Sequence, residues 1–201
     1  FEHHSPALLR ELGRQLGSLD KSLTALNSSV AAQRDLRWDL LKAAEIVKAV
    51  GPNFEDPGKR SLLGTFISHY QKIESRIDSL PRSVIHNDAN DYNILVYLDE
   101  VTNQALISLI DFGDVLFSHT VFDLAICSAY VILGKDDPVA AMCELVTGYH
   151  EISRLSELEL SVLFPLTCMR LCQSVCLASE QHALQPENDY LRISEAPAWA
   201  A

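Results

Sequence analysis

Six polar side chains, His86, Asn87, Asp88, Asn90, Asp91 and Asn93, sit between two apolar runs in the stretch VIHNDANDYNILV, residues 84–96. A surface turn would recruit Gly or Pro, and neither occurs between Ser83 and Val96. The cluster therefore serves something besides chain reversal. A loop Asp such as Asp88 can take the proton of an attacking hydroxyl. Asn93 can offer a neutral oxygen to a metal. Further along, Asp111-Phe112-Gly113-Asp114 closes another apolar run, and Asp111 can supply an anionic oxygen to the same ion. Hard oxygen donors suit Mg2+, which binds few protein groups and keeps its other positions for water and phosphate. Gly113 would let the backbone turn sharply just after that ligand. A positioned base beside metal-held phosphates is what phosphoryl transfer requires.

Neighbouring residues admit more than one reading. Asp114 reads as a metal or substrate contact, or as a solvated cap. Asp91 reads as an acceptor contact, or as a turn residue bonding nearby backbone. Glu180, Glu187 and Asp189 form either a solvated acidic surface or a wall facing a cationic acceptor. Cys168, Cys172 and Cys176 share one helical face, and no His or fourth Cys joins that spacing, so packing is favoured over a metal site. A metal-dependent hydrolase would use His86, Asp88 and Asp111 with His119 as the nearest additional ligand, a thin set. A non-catalytic module is the third alternative, and the joint presence of Asp88, Asn93 and Asp111 speaks against it.

The elements that must position these residues are mostly helical. Ser5-Pro6 makes an N-cap and first-turn pair, and Leu8, Leu9, Leu12, Leu16 and Leu19 recur at helical spacing. A second helix is expected over 31–50, a loop over 51–58, and a third helix over 59–80 ended by Pro81. Three β-prone pieces follow at 83–86, 94–98 and 105–110, the last two joined as a hairpin through 99–103. Helices are then expected over 121–133, 138–154, 157–182 and 189–196. Without repeats or a long linker, residues 1–201 read as one domain: helices presenting the polar cluster on a small β platform.

Composition narrows the setting. Sixteen Lys+Arg against 27 Asp+Glu give a net charge of −11, which disfavours nucleic-acid partners and suits cationic small molecules. Five Cys without a C-x-x-C pattern suit a reducing, cytoplasmic compartment. No uninterrupted apolar run reaches the ~18 residues of a membrane span. The opening FEHHSPALLR lacks the basic and apolar regions of a signal peptide. It also lacks an initiator Met, as a piece of a longer protein would.

HNDANDYNILV, LIDFGD and VFDLA together resemble the C-terminal lobe of the aminoglycoside phosphotransferase/choline kinase-like family, which shares the protein-kinase-like fold. The resemblance covers nearly the whole chain. Leu171-Cys172-Gln173-Ser174 and QPENDYLRIS (185–194) are similar to the hydroxylysine kinase branch and to the phosphotransferase domain fused to class III aminotransferases. The resemblance implies an α+β, mostly helical lobe with a small β-hairpin carrying the active-site loop. It implies an ATP-dependent kinase acting on a hydroxyl of an amine-bearing metabolite, with Mg2+. By motif, Asp88 matches the catalytic base, and His86 matches the loop His and is grouped with it as a catalytic residue. Asn93 and Asp111 match the metal and nucleotide-phosphate ligands. Asp123 matches the Asp that ties the loop down. Asn87 stands where the family often has Gly, and Asn tolerates the left-handed conformation. The family's N-terminal lobe, with its phosphate-covering loop and ATP-pairing Lys, has no counterpart before Pro81, and no G-x-G-x-x-G or P-loop occurs. That lobe, and an aminotransferase domain, are the implied partners in a parent chain.

Overall fold

The computed structural model describes residues 4–99, 105–185, 187 and 195–200. Helix α1 (Pro6–Leu23) begins where its sequence signals it, with Pro6 in the first turn and the Ser5 hydroxyl accepting the Leu8 N–H at 3.2 Å. Leu9, Leu12 and Leu16 form its buried face, which packs along α7 (Pro138–Ile152). Glycine makes that approach possible. A Cβ on Gly148 would lie 1.9 Å from the Arg10 carbonyl oxygen, and one on Gly13 would lie 2.0 Å from that of Leu145.

The core closes around α6 (Val121–Val131) and α8 (Glu157–Leu184). Helix α8 is set by a reciprocal cap: the Glu159 N–H donates to the Ser156 hydroxyl, and the Ser156 N–H donates to the Glu159 carboxylate. Among the described residues it alone is long and apolar enough to cross a membrane, and most of that apolar stretch is buried inside the protein. Its cysteines Cys168, Cys172 and Cys176 are buried free thiols, and burial pushes Cys168 up to about 11 and Cys176 up to about 12. They are packing groups.

Two expected helices are interrupted. The segment expected as a helix over 31–50 divides into α2 (Ser29–Gln33), an open stretch at 34–39, a 3-10 turn (Leu40–Lys42) and α3 (Ala43–Val50). Tertiary bonds override local propensity here: Gln173 of α8 donates to the Arg37 and Asp39 carbonyls at 2.8 and 3.0 Å, and Arg170 donates to that of Trp38 at 2.9 Å. The helix expected over 59–80 starts earlier, at Pro57, because the Asp56 carboxylate caps it. It runs as α4 (Pro57–Gln71), pauses at Lys72–Ile73 with bonds of 3-10 spacing, and resumes as α5 (Glu74–Ile77).

Among the described residues, four short strands make two antiparallel pairs. β1 (Arg82–Ile85) pairs with β4 (Leu116–His119), and β2 (Ile94–Leu98) pairs with β3 (Ala105–Leu109). The second pair is the expected hairpin, although positions 100–104 of its loop lie outside the described residues. β4 was not expected, since four residues between two loops carry too little pattern to show. A last helix, α9, spans Glu195–Ala200; the earlier part of the expected 189–196 helix lies outside the described residues.

Candidate active site

β1 ends at Ile85, and the polar cluster begins at the next residue. The Asp123 carboxylate, in the first turn of α6, accepts the His86 and Asn87 backbone N–H groups, each at 2.6 Å. Asp123 is thus the tie-down that its motif implied. Asn87 adopts φ 67°, the left-handed conformation that Asn tolerates.

Ile110 stitches the two halves of the site together. Its N–H donates to the Asn93 carbonyl at 3.0 Å, and its carbonyl accepts the His86 Nε2–H at 3.0 Å. His86 Nδ1 accepts the Asp88 N–H at 3.3 Å. Both ring nitrogens are therefore committed to backbone, and the ring is fully buried with the Phe112 ring edge-on at 4.8 Å. This corrects the grouping of His86 with the reacting residues. It has no nitrogen left for a substrate or metal, and its task is to hold the loop.

Asp88 lies half-buried at the mouth of this loop. Asn90 Nδ2 donates to its Oδ1 at 2.9 Å, and Asn93 Nδ2 donates to its Oδ2 at 2.7 Å and to its carbonyl at 2.9 Å. Burial raises the Asp88 pKa, opposed chiefly by the Arg170 guanidinium. Since the Asn93 nitrogen is spent on Asp88, its side-chain oxygen is the atom left for a metal. Asn93 precedes β2 and Asp111 follows β3, so the hairpin ladder brings both to one end of the hairpin.

Asp111 is itself the strained residue of the second loop, at φ 61° and ψ 74°, with Oδ1 accepting the Gly113 N–H at 3.1 Å. The role expected of Gly113 is corrected accordingly. Among the described residues the only positive-φ glycine is Gly134; what Gly113 provides is room, because a Cβ there would lie 2.8 Å from Asp111 Oδ1. From the open 34–39 segment, Arg34 donates to the Gly113 and Val115 carbonyls at 2.5 and 2.8 Å, clamping the loop.

The remaining candidates divide. Asp114 is half-buried and near enough for its charge to act on Asp88. Asp91 is half-buried beside a small apolar cavity that also meets Leu9, Leu12 and Ile107. Glu180 is engaged by Arg37 at 2.6 Å, which offsets the charge expected to face an acceptor. Glu187 is exposed. Asp189 lies outside the described residues. His119 is buried in β4 beside Phe122, with Nδ1 against the Leu80 carbonyl at 3.3 Å, and burial lowers its pKa. It does not join His86, so the ligand set of a hydrolase is not assembled, and the described residues hold no cluster of three His, Cys, Asp or Glu suited to a metal.

Two further residues of this region were not legible in the sequence. Arg170 is 1% exposed on α8, with Asp88 as its carboxylate partner at 3.5 Å. One Arg amid FPLTCMRLCQSVCLA was the available signal. Asp20 of α1 is fully buried beside Asp123 and accepts the Tyr149 hydroxyl at 2.6 Å. Burial and the Asp123 charge raise its pKa well above the carboxylate range. Among the described residues its other oxygen, Oδ1, meets no donor, which suits a carboxyl that holds its proton beside the charged Asp123.

With this geometry in place, the matches to known proteins are specific. A family model described as "phosphotransferase enzyme family" aligns with residues 2–157. The chain belongs to that family. Among curated proteins it is similar to the hydroxylysine kinases of Mus musculus (26% identical, 95% of this chain and 53% of the relative), Bos taurus (28%, 96% and 54%) and Danio rerio (27%, 94% and 55%). The chain spans about half the length of these relatives. Among solved structures, an amicoumacin kinase in complex with AMP-PNP and Ca2+ superposes with TM-score 0.62 at 16% identity, over 96% of this chain and 57% of that one. The GDP complex of an aminoglycoside 2′-phosphotransferase-IIIa variant gives 0.61 at 16% identity, over 96% and 63%. The fold is that of these small-molecule kinases: mostly helical, with small antiparallel sheets.

Proposed function

We propose that the protein carrying this chain transfers the γ-phosphate of ATP to a hydroxyl of an amine-bearing metabolite, with hydroxylysine the foremost candidate. The observation that supports this most is the convergence of the Asp88 loop and the Asp111 loop on Ile110. In this reading the acceptor oxygen bonds to the γ-phosphorus as the bond from that phosphorus to the β–γ bridging oxygen breaks. ADP leaves with the electron pair, and the acceptor's proton passes to Asp88. The Asn93 oxygen and the free Asp111 oxygen are hard donors, few in number, as Mg2+ requires. When bound, that ion offsets charge on the nucleotide phosphates. What this chain supplies is position: Asp123, His86 and Asn93 fix the base, and Arg34 and Gly113 fix the second loop.

The outer face of the hairpin carries Leu95, Tyr97 and Leu106, all more than half exposed. In this proposal a nucleotide-covering lobe of the full-length protein docks there, so the 201-residue chain alone has no kinase turnover. The net charge of −11 favours cationic acceptors, and the free cysteines suit the cytoplasm. The hydroxylysine kinase relatives support the acceptor class. The test is transfer from γ-labelled ATP by the full-length protein to hydroxylysine, other amino alcohols, an aminoglycoside and an anionic sugar phosphate. Labelled product from the amines supports the reading. Transfer to none of them refutes it, and preference for the sugar phosphate refutes the acceptor assignment alone.

A further inference from the structure

We propose that Arg170 is the positioning residue of the Asp88 base: together with Asn90 it occupies Oδ1 and leaves Oδ2 as the oxygen that meets the acceptor hydroxyl. This rests on the reading of Asp88 as the base. A carboxylate has about two lone-pair sites on each oxygen. Among the described residues, Oδ1 accepts from Asn90 at 2.9 Å and from Arg170 at 3.5 Å, which fills it. Oδ2 accepts from Asn93 alone, at 2.7 Å, and keeps one site open.

Arg170 is built for one orientation. A guanidinium 1% exposed needs a counter-charge and bonded neighbours, and Asp88 is the carboxylate it meets. Its planar fork is aimed from several sides: the Trp38 carbonyl at 2.9 Å, Gln173 Oε1 at 3.4 Å, the Tyr130 hydroxyl at 3.5 Å, and the Trp38 ring 4.6 Å from its carbon. Gln173 anchors the same 34–39 segment through the Arg37 and Asp39 carbonyls. Arg34, at the start of that segment, holds the Asp111 loop. One irregular strap thus joins the element that aims the base to the loop that carries the metal ligand. A purely structural bolt between α8 and the strap would use the Trp38 carbonyl and leave the base indifferent to Arg170.

The two roles separate in a cycle of Arg170→Lys, Asp88→Asn and the double variant, in the full-length protein with ATP and hydroxylysine. Lysine keeps the cation but lacks the planar fork that sets one nitrogen on the Trp38 carbonyl and the other on Asp88. We expect kcat to fall ~10–100-fold, the scale of misplacing a catalytic group by about an ångström, with KM for ATP unchanged. In the Asp88→Asn background the same change should cost nothing further, because its target is gone. An equal loss in both backgrounds, or a kcat loss that merely tracks lowered thermal stability and raised KM values, overturns the proposal. If Asp88→Asn itself retains transfer, the base assignment fails instead. A second readout needs no turnover: Asp88→Asn strips Arg170 of its counter-charge and should lower Tm by ~5 °C or more. An unchanged Tm would overturn the pairing.

Discussion

The buried carboxyl pair beneath the active-site loop yields a prediction in which one proton can be counted. Asp20 and Asp123 are both fully buried. Two adjacent carboxylates cannot both ionise there, and Asp123 takes two charge-assisted bonds at 2.6 Å from the loop backbone. The proton therefore stays on Asp20. Its folded-state pKa is raised, so between the unfolded value, about 3.9, and the folded one, the native state holds a proton that the unfolded chain has released. Stability is fully present below that window and is lost as pH rises through it, by about 1.4 kcal/mol per pH unit for one proton. Asp20→Asn imitates the neutral acid: its amide N–H donates to Asp123 and its oxygen accepts from Tyr149. It should remove about that slope and be at least as stable as the parent at pH 7. Asp20→Ala instead leaves the buried Tyr149 hydroxyl without its acceptor, at about 1–3 kcal/mol, or roughly 5 °C in Tm for a chain of this size, while both Asp123 oxygens keep their loop N–H donors. Urea unfolding from pH 4 to 8 reads both variants. An Asp20→Asn protein with the parental slope and a lower neutral-pH stability would show that the proton does not reside on Asp20.

Other consequences are more direct. Gly148→Ala drives a methyl into the Arg10 carbonyl, 1.9 Å away, and should cost about 1–3 kcal/mol or more, seen as a lowered Tm by circular dichroism. Asp111→Asn should raise the Mg2+ concentration for half-maximal transfer without altering the fold, and an unchanged Mg2+ requirement would remove Asp111 from the metal site. Raising ionic strength should weaken capture of amine-bearing acceptors more than of neutral ones, which comparison of their KM values at low and high salt will show.

Asp88, Asn93 and Asp111 stood out as candidates because polar types cluster beside apolar strands, and Asp123 because VFDLA resembles the family motif. A local signal also marked one helix start: Ser5-Pro6 caps α1 as its residues suggest, and the helices expected from 138 and 157 begin at those residues. What stayed hidden depends on long-range partners. The break at 34–39 comes from Arg170 and Gln173, more than a hundred residues away. The Asp20 acid gains its meaning only when α1 meets α6 and α7. The left-handed backbone of the second loop falls on Asp111 and not on Gly113, where the sharp turn was expected, because the glycine's job is steric and depends on where a carboxylate points.

The central claim, that Asp88 accepts the acceptor's proton at a site held by the Asn93 and Asp111 loops, is tested most directly by single-turnover phosphate transfer. Full-length wild type and Asp88→Asn would be loaded with ATP and mixed with hydroxylysine, with ATP affinity measured in parallel. The account predicts transfer lowered by about 10²–10⁴-fold, the range for loss of a general base, with ATP affinity nearly unchanged. Near-normal transfer by Asp88→Asn, with ATP bound as in the wild type, would contradict it.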